Sequence, residues 1–236
     1  MRFNECWIPD EWKNKISIID DILPITHFNN IQSYVTSSNF AWGYDDNISL
    51  GQDNSPDTVD NYNFGYSSVI TNNVMKDKQG NQVLIDGPSN YTHLLSKDFI
   101  SFVTPLLWYI KDYAKLEFLI KSRFDMTTRT PKDGYLHSFH VDYDKTFPHV
   151  SCIIYMNDSD GDTIFFNETS NDFSTKTLDH VKMDDLTIRK KVQPKKGRVV
   201  LFDGSIIHSG CSPYNNKNRI LLNCQFTNIP SRNEVY

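Results

Sequence analysis

Along this chain the spacing of apolar residues changes from a helical period to short strand-like runs, and that change divides the sequence. Between Ser96 and Tyr113 the apolar positions recur at three and four: Phe99, Phe102, Val103, Leu106, Leu107, Ile110 and Tyr113 share one face of a predicted helix that would pack across the back of a sheet. Pro105 lies inside this run, where it removes a backbone donor and crowds the preceding turn, so a kink or two shorter helices are expected. Phe28, Ile31 and Tyr34, following Pro24-Ile25-Thr26, predict a shorter amphipathic helix with Thr26 as its N-cap. Phe40 to Tyr44 reads as a short strand or an aromatic plug, and Gly65 to Ile70 as a strand.

From Leu116 the pattern is one of short strands over 118–126, 149–156, 163–167, 186–192, 198–202 and 219–226. A break at Thr127 to Gly134 and turn chemistry at Asp160-Gly161, Pro194 to Gly197, Asp203-Gly204 and Asn215-Asn216 separate them. Polar stretches at 45–62 and 168–185 read as surface excursions, and Lys76 to Asn81 as a turn. Such punctuation predicts a sandwich or barrel. The fold class is therefore mainly β with some helix (α+β), one domain over 1–236, with residues 1–115 as a supporting region and 116–230 as the core.

Composition narrows the functional classes. A chain of 236 residues buries a sizeable core. Its net charge of -5 argues against a general electrostatic grip on nucleic acid or an anionic membrane. The four cysteines, Cys6, Cys152, Cys211 and Cys224, have neither CxxC nor zinc-type spacing, so free thiols and a reducing cytoplasm are expected. Cys152 and Cys224 fall in strands and read as small buried hydrophobes. With no apolar run long enough to span a membrane, the chain reads as soluble and cytosolic.

The chemistry lies in Phe139-His140-Val141-Asp142 and, further on, in Ile206-Ile207-His208-Ser209-Gly210. A histidine and a carboxylate two apart project from the same side of an extended segment. With His208 added, two imidazoles and a carboxylate can cap one face of a metal and leave the opposite positions open, the facial arrangement used by non-haem Fe(II) oxygenases. A zinc hydrolase on the same ligands stays open at this point. His137, Tyr143, Asp144 and His149 lie near enough to line an entrance, while Tyr135 and Phe139 read as packing or substrate contacts.

Arg219 stands eleven residues after His208, at the head of the last strand. With His140, Asp142 and His208 it resembles the 2-oxoglutarate-dependent Fe(II) oxygenases, most closely their prolyl-hydroxylase-like branch and its phage-encoded members. The strand Ser151 to Asn157 looks like the one that follows HxD in hypoxia-type prolyl hydroxylases. The resemblance covers residues 117 to 228. It implies a double-stranded β-helix; His140, Asp142 and His208 as catalytic metal ligands; and Fe(II), 2-oxoglutarate and O2 as cofactor and co-substrates, with ascorbate in support. It further implies that Arg219 and the Tyr155 hydroxyl hold the distal carboxylate of 2-oxoglutarate. Asn223, on the same face as Arg219, is a further candidate, and Lys217 a fallback anchor that otherwise reads as a solvated turn residue.

The activity so implied is hydroxylation of an unactivated C–H bond, first of a prolyl or other peptidyl substrate. A free small molecule is the alternative. A nucleobase fits less well, because repair enzymes of this fold carry a second arginine where this chain has Gln225. A binding module that has lost turnover is the non-enzymatic reading. Trp42, Tyr44 and Tyr66 are candidate recognition aromatics, with core packing as their plainer role.

Overall fold

The computed structural model describes residues 6–46, 62, 64–76, 82–84, 95–131, 135–143, 147–172 and 181–228. Asp144, the turn expected over Lys76–Asn81, most of the 45–62 excursion and the middle of the 168–185 excursion fall outside them.

The strands are β1 (Ile16–Ile19), β2 (Gly43–Asp45), β3 (Gly65–Asn72), β4 (Val74–Lys76), β5 (Gln82–Leu84), β6 (Phe118–Thr128), β7 (Val150–Tyr155), β8 (Thr163–Thr169), β9 (Ile188–Val192), β10 (Val199–Asp203), β11 (Ile206–Gly210) and β12 (Asn218–Thr227); the helices are α1 (Ile25–Val35) and α2 (Lys97–Tyr113). Seven strands form one sheet in the order β1-β10-β7-β12-β6-β3-β2, three form a second in the order β11-β8-β9, and β4 pairs with β5. All pairings within the sheets are antiparallel. The large and small sheets pack as a double-stranded β-helix: Ile153, Tyr155, Val200 and Leu221 of one meet Phe165 and Ile206 of the other in a shared core.

Strand β12 shows why the sequence folds this way. Ile220, Leu222, Cys224 and Phe226 face outward into the core beneath the helices, and by alternation Arg219, Leu221, Asn223 and Gln225 face inward. A strand covered on both faces reads as a nearly continuous apolar run, as Ile220-Leu221-Leu222 does. The helical cover comes from Phe99, Val103, Leu106, Leu107 and Ile110 of α2 with Phe28, Ile31 and Val35 of α1. Each such burial stabilises by about 1.5–3 kcal/mol.

Helix α2 is one helix, not two. Its N-cap Ser96 accepts a hydrogen bond from the Phe99 N–H, and Pro105 sits within it. Pro105 and Ser101, whose carbonyl loses its donor, are both exposed, so water can satisfy that oxygen. The expected cap of α1 is corrected as well: Pro24, not Thr26, occupies the N-cap position, with no side-chain bond, which suits proline's fixed φ next to the first turn. Phe40 is the plug of the two readings offered, buried against Trp42, Phe99 and Phe124, and the strand begins only at Gly43. Strands β1 and β11 were not anticipated. The first is only four residues long and adds to the free edge of β10.

Candidate metal centre and adjoining cavity

The two histidines meet because their backbones pair. His140 and His208 form an isolated antiparallel bridge, His140 N–H to His208 O at 2.9 Å and His208 N–H to His140 O at 3.0 Å, which puts the ring centroids 4.5 Å apart. In each ring Nδ1 bonds the backbone oxygen two residues earlier, Ser138 O at 3.0 Å and Ile206 O at 3.1 Å. A carbonyl only accepts, so Nδ1 carries the proton and the Nε2 lone pair is left for a ligand. Asp142 extends from the same side, and the candidate ligand atoms of His140, Asp142 and His208 all lie within 4.8 Å of one another.

Electrostatics hold these groups in their ligating forms. Burial pushes the Asp142 carboxyl up, but the charges of His208, His140 and His149 and the hydroxyl of Ser151 outweigh it and keep it well below the usual carboxylate range. Ser151 donates directly to Asp142 Oδ2, fixing its orientation. Burial and the neighbouring His140 bring His208 down to about 4, so it is neutral at pH 7. The donor set of two imidazoles and one carboxylate fits Fe(II).

A second cluster lies at the other end of the same cavity. Thr163 Oγ1 is 2.6 Å from the Tyr155 hydroxyl and 2.6 Å from Arg219 Nη2. The Arg219 guanidinium lies over the Tyr155 ring, 5.6 Å from its centroid. Arg219 is only 6% exposed, its Nε is buried with no partner, and among the described residues it makes no ion pair. A buried cation in that condition costs free energy unless an anion arrives, so the cluster fits a carboxylate. Glycine is required beside it: a Cβ on Gly161 would meet the Cys211 carbonyl and crowd Arg219 Cδ, and one on Gly210 would lie 3.2 Å from Arg219 Nη1.

Of the remaining candidates, Asn223 lines the cavity, yet it stands across the strand pair from Arg123 and outside the Tyr155–Thr163–Arg219 cluster. Lys217 is exposed in the turn before β12 and does not line the cavity. His137 does line it; its Nε2 bonds Ser212 Oγ at 2.8 Å, and burial with the nearby Arg219 charge brings it down to about 3. Tyr143 and His149 are buried edge to face, 5.2 Å between centroids, and line a different pocket. Phe139 packs on Phe166, and Tyr135 on His137. Tyr66 lines the cavity, Trp42 packs against the main core and Tyr44 is exposed. All four cysteines are free thiols, and Cys152 and Cys224 are fully buried.

Four contributors carried no usable signal in the sequence. Thr163 and Ser151 are hydroxyl residues at strand positions that any polar residue might occupy. Arg123 and Asp125 form an ion pair on the cavity wall, Nε to Oδ1 at 2.9 Å. Burial pushes the Asp125 carboxyl up against the opposing pull of Arg123, and that same Asp125 charge raises Arg123. Alternating charges on a strand ordinarily mark a solvated face, which is why these two pass unnoticed in the sequence.

Residues 126–227 match the family described as the 2OG-Fe(II) oxygenase superfamily. No curated protein matches the sequence. Similar solved structures include the non-heme alpha ketoglutarate dependent epimerase SnoN of nogalamycin biosynthesis, 10% identical, with 92% of this chain and 77% of that one covered and a TM-score of 0.54. The carbocyclase SnoK of the same biosynthesis is 12% identical, with 94% and 84% covered and a TM-score of 0.51. A Pseudomonas putida prolyl-4-hydroxylase is 13% identical, with 91% and 93% covered and a TM-score of 0.45. Among the described residues no helix is long and apolar enough to cross a membrane.

Proposed function

We propose that this chain is a 2-oxoglutarate-dependent Fe(II) dioxygenase that hydroxylates an unactivated C–H bond, with His140, Asp142 and His208 as the iron ligands, a reading supported by the family match over residues 126–227. The observation that carries this reading is that His140 and His208, two of three residues with convergent ligand atoms, line one cavity with a buried guanidinium that makes no ion pair among the described residues.

Iron and 2-oxoglutarate, when bound, would supply the activation of O2. The chain's own residues do the holding and aiming. The two backbone-pinned imidazoles and the Ser151-oriented carboxylate would hold the ion. Arg219, steadied by Thr163 and backed by the Tyr155 ring, receives the distal carboxylate of the co-substrate, where charge-assisted bonds are about twice as strong as neutral ones. The Tyr155 hydroxyl, 2.6 Å from Thr163 Oγ1, helps to fix the Thr163 side chain that Arg219 also bonds. Apolar Leu221 and Ile153 on the intervening wall limit water near the reacting centre.

For the substrate, a peptidyl group is the first reading, resting on the likeness of Ser151 to Asn157 to the prolyl-hydroxylase strand. A small polar molecule is the second, favoured by the Arg123–Asp125 pair on the cavity wall. The deciding test is succinate formation from purified protein with Fe(II), 2-oxoglutarate, ascorbate and O2. Slow turnover that requires iron, stops with zinc and is lost in His208→Ala is the expected result. Turnover indifferent to His208 would overturn the ligand assignment.

A further inference from the structure

Lys121, Arg123 and Asp125 occupy alternate positions of β6, so they share one side of it, while Ser122 and Phe124 on the other side are fully buried. Arg123 and Asp125 line the cavity that also holds His140, His208 and Arg219. Arg123 is held by one edge only: its Nε lies 2.9 Å from Asp125 Oδ1 and 3.1 Å from Oδ2. Its two Nη groups have no partner among the described residues, although the side chain is only 26% exposed. Directly opposite in the strand register stands Asn223 of β12. Gln225 Nε2 donates to Asn223 Oδ1 at 2.8 Å, and the Asn223 Nδ2 amide has no partner among the described residues.

Two neighbouring strands therefore direct donors with no partner among the described residues into the cavity beside the candidate metal ligands, on a wall that also carries the carboxylates of Asp125 and, from β2, Asp45. We propose that Arg123 and Asn223 anchor a carboxylate of the substrate next to the C–H bond to be oxidised, with Asp125 as the positioning residue that fixes the guanidinium. This specificity rests on the oxygenase reading above. Two parallel Nη–H groups match a carboxylate bidentately, whereas a single carbonyl oxygen would leave one of them unpaired. Lys121, on the same face, and Arg123 both interact with Asp125 and Asp45, so the two carboxylates of the wall are met by two cations before an anion arrives. Arg219 is not a rival for this anion. It lies four residues from Asn223, about 13 Å along the strand, and bonds the opposite sheet. Two guanidiniums thus serve two carboxylates, one of the co-substrate and one of the substrate. That second carboxylate comes from a free amino or other small organic acid, or from the acidic side chain or C-terminus of a peptide.

Saturation-transfer NMR on full-length protein loaded with Zn(II) and 2-oxoglutarate, a complex that does not turn over, tests the anchor. The probes are the common amino acids against their carboxamides, and tripeptides with free or amidated C-termini, with and without an aspartyl or glutamyl residue. At least one carboxylate is expected to bind ten-fold or more tightly than its amide, and the arm in which it appears names the source. Arg123→Gln, Asn223→Ala and the charge-neutral double variant Arg123→Gln/Asp125→Asn should each bring that preference below three-fold. The double variant, which leaves no unpaired buried charge, keeps the test valid if the single one is unstable. Equal binding of acids and amides, no binding of any acid, or a preference that survives Arg123→Gln would overturn the anchor. Titration of 2-oxoglutarate into the same zinc-loaded samples separates the readings: co-substrate binding without a carboxylate preference removes the anchor alone, and no co-substrate binding removes the oxygenase reading.

Discussion

Arg219 Nη2 donates a 2.6 Å hydrogen bond to Thr163 Oγ1, joining β12 of the large sheet to β8 of the small one, while its equally buried Nε has no partner. A guanidinium so placed is positioned before its anion arrives. Arg219→Ala should weaken 2-oxoglutarate binding by roughly 2 to 5 kcal/mol, on the order of 30-fold to several thousand-fold, while metal binding remains. Calorimetric titration of metal-loaded wild type and variant checks this, and equal affinities would sink the assignment.

Thr163 is the hinge of that cluster, since the Tyr155 hydroxyl and Arg219 share its oxygen. Thr163→Val keeps the shape and removes the hydroxyl, leaving two buried polar groups short of a partner at about 1–3 kcal/mol each. A drop of about 10-fold or more in 2-oxoglutarate affinity, with a smaller loss of melting temperature than a core truncation, is the expected pattern. Unchanged affinity would place the cluster outside co-substrate binding.

Among the candidate metal ligands Ser151 bonds the Asp142 carboxylate, which it orients. Partners of this kind are typically worth 10- to 100-fold in metal affinity. Ser151→Ala should therefore bind Fe(II) or a Mn(II) surrogate about 10-fold more weakly, whereas Asp142→Ala and His208→Ala should bind neither measurably. Anaerobic equilibrium dialysis distinguishes the three outcomes.

The edge strand β1 is tied to the barrel by Asp20, which Arg198 contacts at 2.9 and 3.0 Å and Lys195 at 3.1 Å. The Arg198 bond is the main cause that brings Asp20 down to about 2 from an ordinary 3.8. A depressed carboxylate stabilises the fold above its unfolded value and loses that stabilisation as pH falls from about 4 through 2. Because the side chain is 30% exposed, screening reduces the contribution to about 1 kcal/mol. Urea unfolding of wild type and Asp20→Asn should differ by about that amount at pH 7, by about half of it at pH 3 and by little at pH 2. A gap that does not narrow would show that the carboxylate charge is not its source.

How much was legible depended on whether the signal was local. The 3.6-residue spacing of Phe99 through Ile110 gave α2, and alternation with turn residues gave β6, β7, β8, β9, β10 and β12 within a few residues. Of the two expectations for the run through Pro105, the split into two helices is not what forms: Pro105 and Ser101 are both exposed, and a proline rule says nothing about exposure. Strands β1 and β11 are short, and each forms by adding to a neighbour far away in sequence, Ile18 to Val200 and Ser209 to Ile164. No window of sequence contains that neighbour.

The sequence by itself determined the ligand types, their order and the strand parity that aims Arg219, Leu221, Asn223 and Gln225 inward, because side chains alternate strictly along a strand. Tertiary structure alone decided which of those inward groups share a task. Thr163 joins Arg219 across the two sheets, and Arg123 faces Asn223 across a strand pair whose members are a hundred residues apart. It also decided that the alternating charges of β6 line an interior cavity. Alternation fixes that side chains share a face; only the packing of the sheets fixes whether that face meets water or a cavity.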